Sequence, residues 1–112
     1  MGYQTEYDIN VRTKTGEPVD MKKIEALLEQ TADYSFESGY NSEWFGLYGS
    51  TWYDHEEDMK IVSKELGDNY VFEVEGYGEE RGDWWKKYFV NGKMAVYVLP
   101  ITFPEFKEED LE

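Results

Sequence analysis

The chain has 112 residues, enough for one hydrophobic core and too few for two. Eleven Lys and Arg stand against 25 Asp and Glu, a formal net charge of -14. A field of that sign repels phosphate backbones, so it disfavours direct contact with nucleic acid and favours basic partners. There is no cysteine, which excludes disulfide frameworks, thiolate metal sites and cysteine nucleophiles.

Hydrophobic residues make up 40% of the chain and aromatic residues 18%, so a packed core rich in large rings is expected. No run approaches the roughly 18 apolar residues of a membrane span. The N-terminal MGYQTEYDINVR lacks a basic segment followed by an apolar one, and position 6 is Glu where myristoylation wants Ser or Thr. The expectation is a cytoplasmic protein with no membrane partner, one domain over 1–104 and an acidic tail over 105–112.

Tyr3, Thr5, Tyr7, Ile9 and Val11 alternate with Gln4, Glu6, Asp8, Asn10 and Arg12, the period of a half-buried strand. Residues 14–18, KTGEP, break it. A helix follows, with Pro18 near its start, Met21, Ile24, Leu27 and Leu28 on one side, and an end near Thr31–Asp33. Tyr34–Glu37 reads as a short strand and 38–42 as a loop. Residues 44–53 read as one or two irregular strands, bulged or bent at Gly46 or Gly49.

The stretch TWYDHEEDM, residues 51–59, then leads into a second helix. Asp54 is the expected N-cap, Glu57 completes an Asp variant of the capping box, and Glu56, Glu57 and Asp58 suit the positive end of the helix dipole. Met59, Val62 and Leu66 form its apolar stripe and Gly67 its C-cap. A strand over 70–75 follows, then a loop over 76–83.

Residues 84–90 and 93–99 are strands joined by Asn91-Gly92, a strong hairpin signal. The two-residue turn predicts the pairs Val90–Lys93, Tyr88–Ala95, Lys86–Tyr97 and Trp84–Leu99 on one face. It predicts Phe89–Met94, Lys87–Val96 and Trp85–Val98 on the other, which is expected to be the core. Trp84, Lys86, Tyr88, Lys93 and Tyr97 then point outward. The element order predicts an α+β two-layer sandwich. Its sheet is mainly antiparallel with two helices on one face, ferredoxin-like with an added C-terminal hairpin.

Chemistry is sparse. Asp54, His55 and Asp58 could be a metal or acid–base cluster, but HEED is not HExxH, and neither DxDxDG nor GxSxG is present. Helix capping accounts for the carboxylates more simply, so no catalytic residue, metal or cofactor is assigned. A phosphate at Gly76-x-Gly78 would meet Glu79, Glu80 and Asp83, and a strand follows where a phosphate site wants a helix. Trp84, Tyr88 and Tyr97, near Trp44 and Trp52, either form an interface or are covered by residues 34–53 as a second core.

The segments WYDHEEDM (52–59), GEE (78–80), GD (82–83), KYF (87–89) and NGK (91–93) resemble a pattern in small phage and prophage proteins of Gram-positive bacteria. Tyr77 departs from the charged residue of that pattern. The resemblance implies a mobile-element origin and carries no assigned activity. A second likeness, to ferredoxin-like domains of plasmid-borne proteins, concerns layout alone.

The expected function is therefore a non-enzymatic acidic protein that binds a host or phage protein. One form of this is charge mimicry against a basic, nucleic-acid-binding partner. The expected surface comprises Glu73, Glu75, Glu79, Glu80, Asp83, Trp84 and Tyr88. The alternatives are a small metal-dependent enzyme at the DHEED cluster and a homo-oligomeric assembly protein.

Overall fold

A computed structural model describes residues 4–38, 43–78, 83–99 and 108–111. The elements run β1 (Thr5–Thr13), α1 (Met21–Ala32), β2 (Glu37–Ser38), β3 (Trp44–Ser50), α2 (His55–Leu66), β4 (Tyr70–Gly78), β5 (Trp84–Val90) and β6 (Lys93–Leu99). Among the described residues the strands form one antiparallel sheet in the order β2-β3-β1-β4-β5-β6. The fold is α+β. A single 3₁₀ turn, Glu108–Asp110, lies in the acidic C-terminal stretch. No helix among the described residues is long and apolar enough to cross a membrane.

The period-two pattern of β1 divides the sheet. Tyr7, Ile9 and Val11 are buried, and their rows run across the strands. Val11 aligns with Phe72, Phe89 and Met94; Ile9 with Phe45, Val74, Lys87 and Val96; Tyr7 with Leu47, Gly76, Trp85 and Val98. Ile24 and Leu28 of α1 and Met59 and Val62 of α2 join the same buried cluster. Each such side chain contributes about 1.5–3 kcal/mol when fully withdrawn from water.

The hairpin register is the predicted one. Asn91 (φ 48°) and Gly92 (φ 79°) both lie in the left-handed region, which makes a type I′ turn. Burial stops short of the predicted core, however. Phe89 is buried, but Val96 and Val98 are 44% and 47% exposed. Along β6, Met94 still packs on the core cluster, and exposure grows toward Val96 and Val98.

Two local expectations change and one holds. The short strand predicted at 34–37 is β2 at Glu37–Ser38, because Phe36 turns into the core beside Trp52. The bulge does fall at a glycine: the β1–β3 register shifts between Thr5–Ser50 and Tyr7–Leu47, and Gly49 has φ 63°. Strand β4 runs on to Gly78, so Gly76-x-Gly78 is strand rather than loop. Gly76 stays in the ladder because the Trp85 indole lies directly on it, where a β-carbon would stand.

The helix ends also differ from one another. Asp20 caps α1, accepting from the Lys23 N–H at 3.2 Å, and Asp33 closes it in the left-handed conformation. In α2 the predicted Asp54–Glu57 capping box is absent: the Asp54 side chain makes no cap bond. Asp54 sits at ψ 21°, outside the extended conformation that aims an N-cap carboxylate at the first turn. The stronger demand is from Trp52, which is 2% exposed and needs an acceptor for its indole N–H. Asp58 supplies it at 2.7 Å. The carboxylate one turn into the helix is thus used on the tryptophan before it.

Gly76→Ala forces a methyl into the space of the Trp85 ring. The expected outcome is a loss of about 1–3 kcal/mol in urea unfolding, the usual cost of overpacking. An unchanged midpoint would show that Trp85 can leave Gly76 freely.

Candidate functional site: the open face of the sheet

The side of the sheet away from the core cluster carries the alternate residues of each strand. One row is Gly46, Asp8, Glu75, Lys86 and Tyr97; another is Trp44, Asn10, Glu73, Tyr88 and Ala95; a third holds Glu6, Tyr77 and Trp84. Two-residue spacing places Glu73 and Glu75 on one face roughly 6.8 Å apart along β4.

Rings on this face donate to the carboxylates. Trp44 Nε1 and Tyr48 Oη both donate to Asp8 Oδ1, at 3.2 and 3.0 Å. Tyr77 Oη donates to Glu75 Oε2 at 2.6 Å, and Trp84 Nε1 donates to the same oxygen. Tyr88 Oη donates to Glu73 Oε1 at 2.7 Å. The rings also pack on each other: Tyr77 stacks on Trp84 at 5.1 Å, and Tyr88 meets Tyr97 edge-on at 5.7 Å. Gly46 makes the Asp8 arrangement possible, since a β-carbon there would lie 2.7 Å from Trp44 Cζ2 and from Tyr48 Oη.

The phenols respond to their acceptors. Burial and then the Asp8 carboxylate push Tyr48 up to about 12. The hydrogen bond to Glu75, ahead of burial, pushes Tyr77 up to about 12, and the bond to Glu73 raises Tyr88. All three stay protonated donors at neutral pH. Among the described residues no hydrogen bond reaches Asp8 Oδ2, Glu73 Oε2 or Glu75 Oε1. Each carboxylate is therefore held by ring donors on one oxygen, and all three are part-exposed. A shallow hollow of about 340 Å³ lies beside them, among Lys86, Tyr88, Ala95 and Tyr97.

Of the predicted surface residues, Glu73, Glu75, Trp84 and Tyr88 come together here. Glu79 and Glu80 lie outside the described residues. Asp83 is half-buried at the start of β5, where its carbonyl accepts the Gly78 N–H at 2.7 Å. The grouping with Trp52 is corrected, because Trp52 is on the covered side against Tyr7, Tyr34 and Phe36. Of the segment 34–53 expected to cover the rings, the described strands β2 and β3 lie within the sheet beside β1. Asp8, Tyr48 and Tyr77 were missed as site residues. Asp8 is an even position of β1 and Tyr48 meets it from β3, a pairing visible only once β1 is known to lie between β3 and β4; Tyr77 lies past residue 75, where β4 was expected to end.

The alternative cluster at 54–58 divides among separate partners. Asp54 is exposed and Asp58 holds Trp52. His55 is half-buried and stacks on Trp85 at 5.0 Å. Its Nδ1 is 3.0 Å from the Trp52 carbonyl, which can only accept, so Nδ1 carries the proton. Its Nε2 then accepts from the Lys87 ammonium at 2.6 Å. Lys87 also pairs with Glu56 at 2.8 Å and lies over the Trp85 ring. Among the described residues no group of three or more His, Asp or Glu is arranged to hold a metal ion.

This geometry has a pH signature. Burial and then the Lys87 charge hold His55 below its usual value, against weaker pulls from Glu56 and Asp58. A base depressed by folding is protonated more readily in the unfolded chain. Its contribution is full above about pH 6.5 and is lost as pH falls through the lowered value. The urea midpoint should therefore fall between about pH 7.5 and about pH 5.5. His55→Gln, which retains an acceptor for Lys87, should flatten that fall. An equal fall in the variant would assign it to other groups.

Comparison of the chain with protein-family models, with curated proteins and with solved structures finds no match, and the open face must be read from its own chemistry.

Proposed function

We propose that the chain is a non-enzymatic binding protein that acts by protein–protein contact through the open sheet face. The observation that carries this reading is the set of part-exposed carboxylates, Asp8, Glu73 and Glu75, each held by ring donors on one oxygen. Ring donors fix the carboxylate rotamers before a partner arrives, which lowers the ordering cost of binding. Guanidinium and ammonium groups fit such acceptors, and the flanking rings offer cation–π contact. The partner is accordingly basic. The net charge of -14 would draw it in from a distance.

A host protein that binds nucleic acid through a basic groove fits this chemistry, with the carboxylates standing where phosphates would stand. The mobile-element origin is supported by the resemblance over residues 52–93. The ferredoxin-like description is supported by the antiparallel order β2-β3-β1-β4, to which the β5–β6 hairpin is appended.

The test is affinity capture from a bacterial lysate, washed at rising salt, with the wild type beside Glu73→Gln/Glu75→Gln and Trp84→Ala. The expected result is a basic partner released by moderate salt, with capture by the double variant reduced about tenfold or more and circular dichroism unchanged. Equal capture by wild type and double variant would sink the proposal for this face.

A further inference from the structure

We propose that β6 is a self-association edge, pairing antiparallel with β6 of a second copy and continuing the sheet across a two-fold axis. The strand ends the sheet order, and no described strand pairs with its outer side. The type I′ turn fixes which backbone groups face outward. In a two-residue hairpin the closing pair, Val90–Lys93, is hydrogen-bonded, and alternation then turns the N–H and C=O groups of Met94, Val96 and Val98 away from β5. An extended backbone is the occupant those groups demand.

Within residues 94–99 the strand itself carries few of the devices that normally blunt such an edge. Protein edges are guarded by inward charges, prolines, bulges or shortness. Strand β6 is seven residues long, pairs with β5 without a register shift, and has no charged residue after Lys93. It is apolar on both faces, with Val96 44%, Val98 47% and Tyr97 62% exposed.

Two features select a second copy as the occupant. The first is self-complementarity. With Val96 opposite its own mate, Met94 meets Val98 on the core side and Ala95 meets Tyr97 on the open side. Every one of these cross-strand pairs is apolar, and the three outward-facing residues all find partners. The second is charge. Residues 84–99 hold Lys86, Lys87 and Lys93 and no carboxylate, so all 25 acidic residues lie elsewhere. The repulsion between two chains of charge -14 is therefore weakest where these edges approach.

Sedimentation of the full chain at several concentrations tests the pairing. The expected result is a monomer–dimer equilibrium that shifts toward dimer as salt screens the repulsion. Val96→Lys and, independently, Val98→Lys should each weaken association about tenfold or more while leaving circular dichroism unchanged. Ile61→Lys, on the exposed side of α2, and Glu73→Gln/Glu75→Gln should not weaken it. A monomer at every concentration overturns the proposal. So does a dimer that survives both β6 variants, or one that dissociates as salt rises.

Discussion

A lysine ammonium on the covered side of the sheet has to be satisfied, and the arrangement of α2 against β5 follows from how that is done. Lys87 occupies the row of Ile9, Phe45 and Val74 and is only 8% exposed. An unpaired ammonium there would cost several kcal/mol. Glu56, His55 and the Trp85 ring supply its partners, two of them from the first turn of α2. The helix is thereby pinned to β5 at its start. At its other end the Ser63 hydroxyl accepts the Gly92 N–H at 2.9 Å, which ties it to the hairpin turn. Trp85 has in turn to lie flat between His55 and Gly76, so the glycine in β4, the tryptophan in β5 and the histidine in α2 form one stack.

This accounts for the acidic stretch at 54–58 more fully than capping does. The capping expected of Asp54 and Glu57 is absent, and the roles that Glu56 and Asp58 do have are tertiary. Capping signals are local and can be recognised in a sequence; a carboxylate that pairs with Lys87, more than two dozen residues downstream, cannot. The same division runs through the whole chain. The period of β1, the stripe of α2, the Gly67 cap and the hairpin register depend on neighbours in sequence and were legible. The extension of β4 through Gly76 depends on Trp85, and the setting of Trp52 depends on Asp58 and Tyr7. Half of the open-face site was legible as well. Glu73, Glu75, Trp84 and Tyr88 lie on strands whose inward and outward sides alternate visibly. Asp8 and Tyr48 entered only when β1 and β3 were brought side by side, and Tyr77 only when β4 proved to run on to Gly78.

The two faces of the sheet use aromatic residues differently. On the covered side Trp52, Trp85 and Phe36 are linked edge-on through Tyr7 and Trp52 and give up surface to the core. On the open side Trp44, Tyr48, Tyr77, Trp84 and Tyr88 aim their polar tips at carboxylates in the same plane. A ring anchored in this way covers the strand beneath it while its donor is satisfied without burial. The consecutive tryptophans 84 and 85 carry both solutions, one on each side of a single strand.

Such anchoring also explains how a small domain keeps several large rings outside its core. Free rings on a bare sheet would join into an apolar patch, the feature that marks aggregation or a sticky interface. Here negative oxygens alternate with the rings, and a second copy approaching face-on would bring carboxylate against carboxylate. Like-charge contact of that kind costs several kcal/mol. A basic partner meets no such penalty. In the proposed binding mode the open face would therefore favour a cationic partner over a second copy of itself. Residues 84–99 carry no carboxylate, which is why the proposed pairing of two copies is placed at the β6 edge.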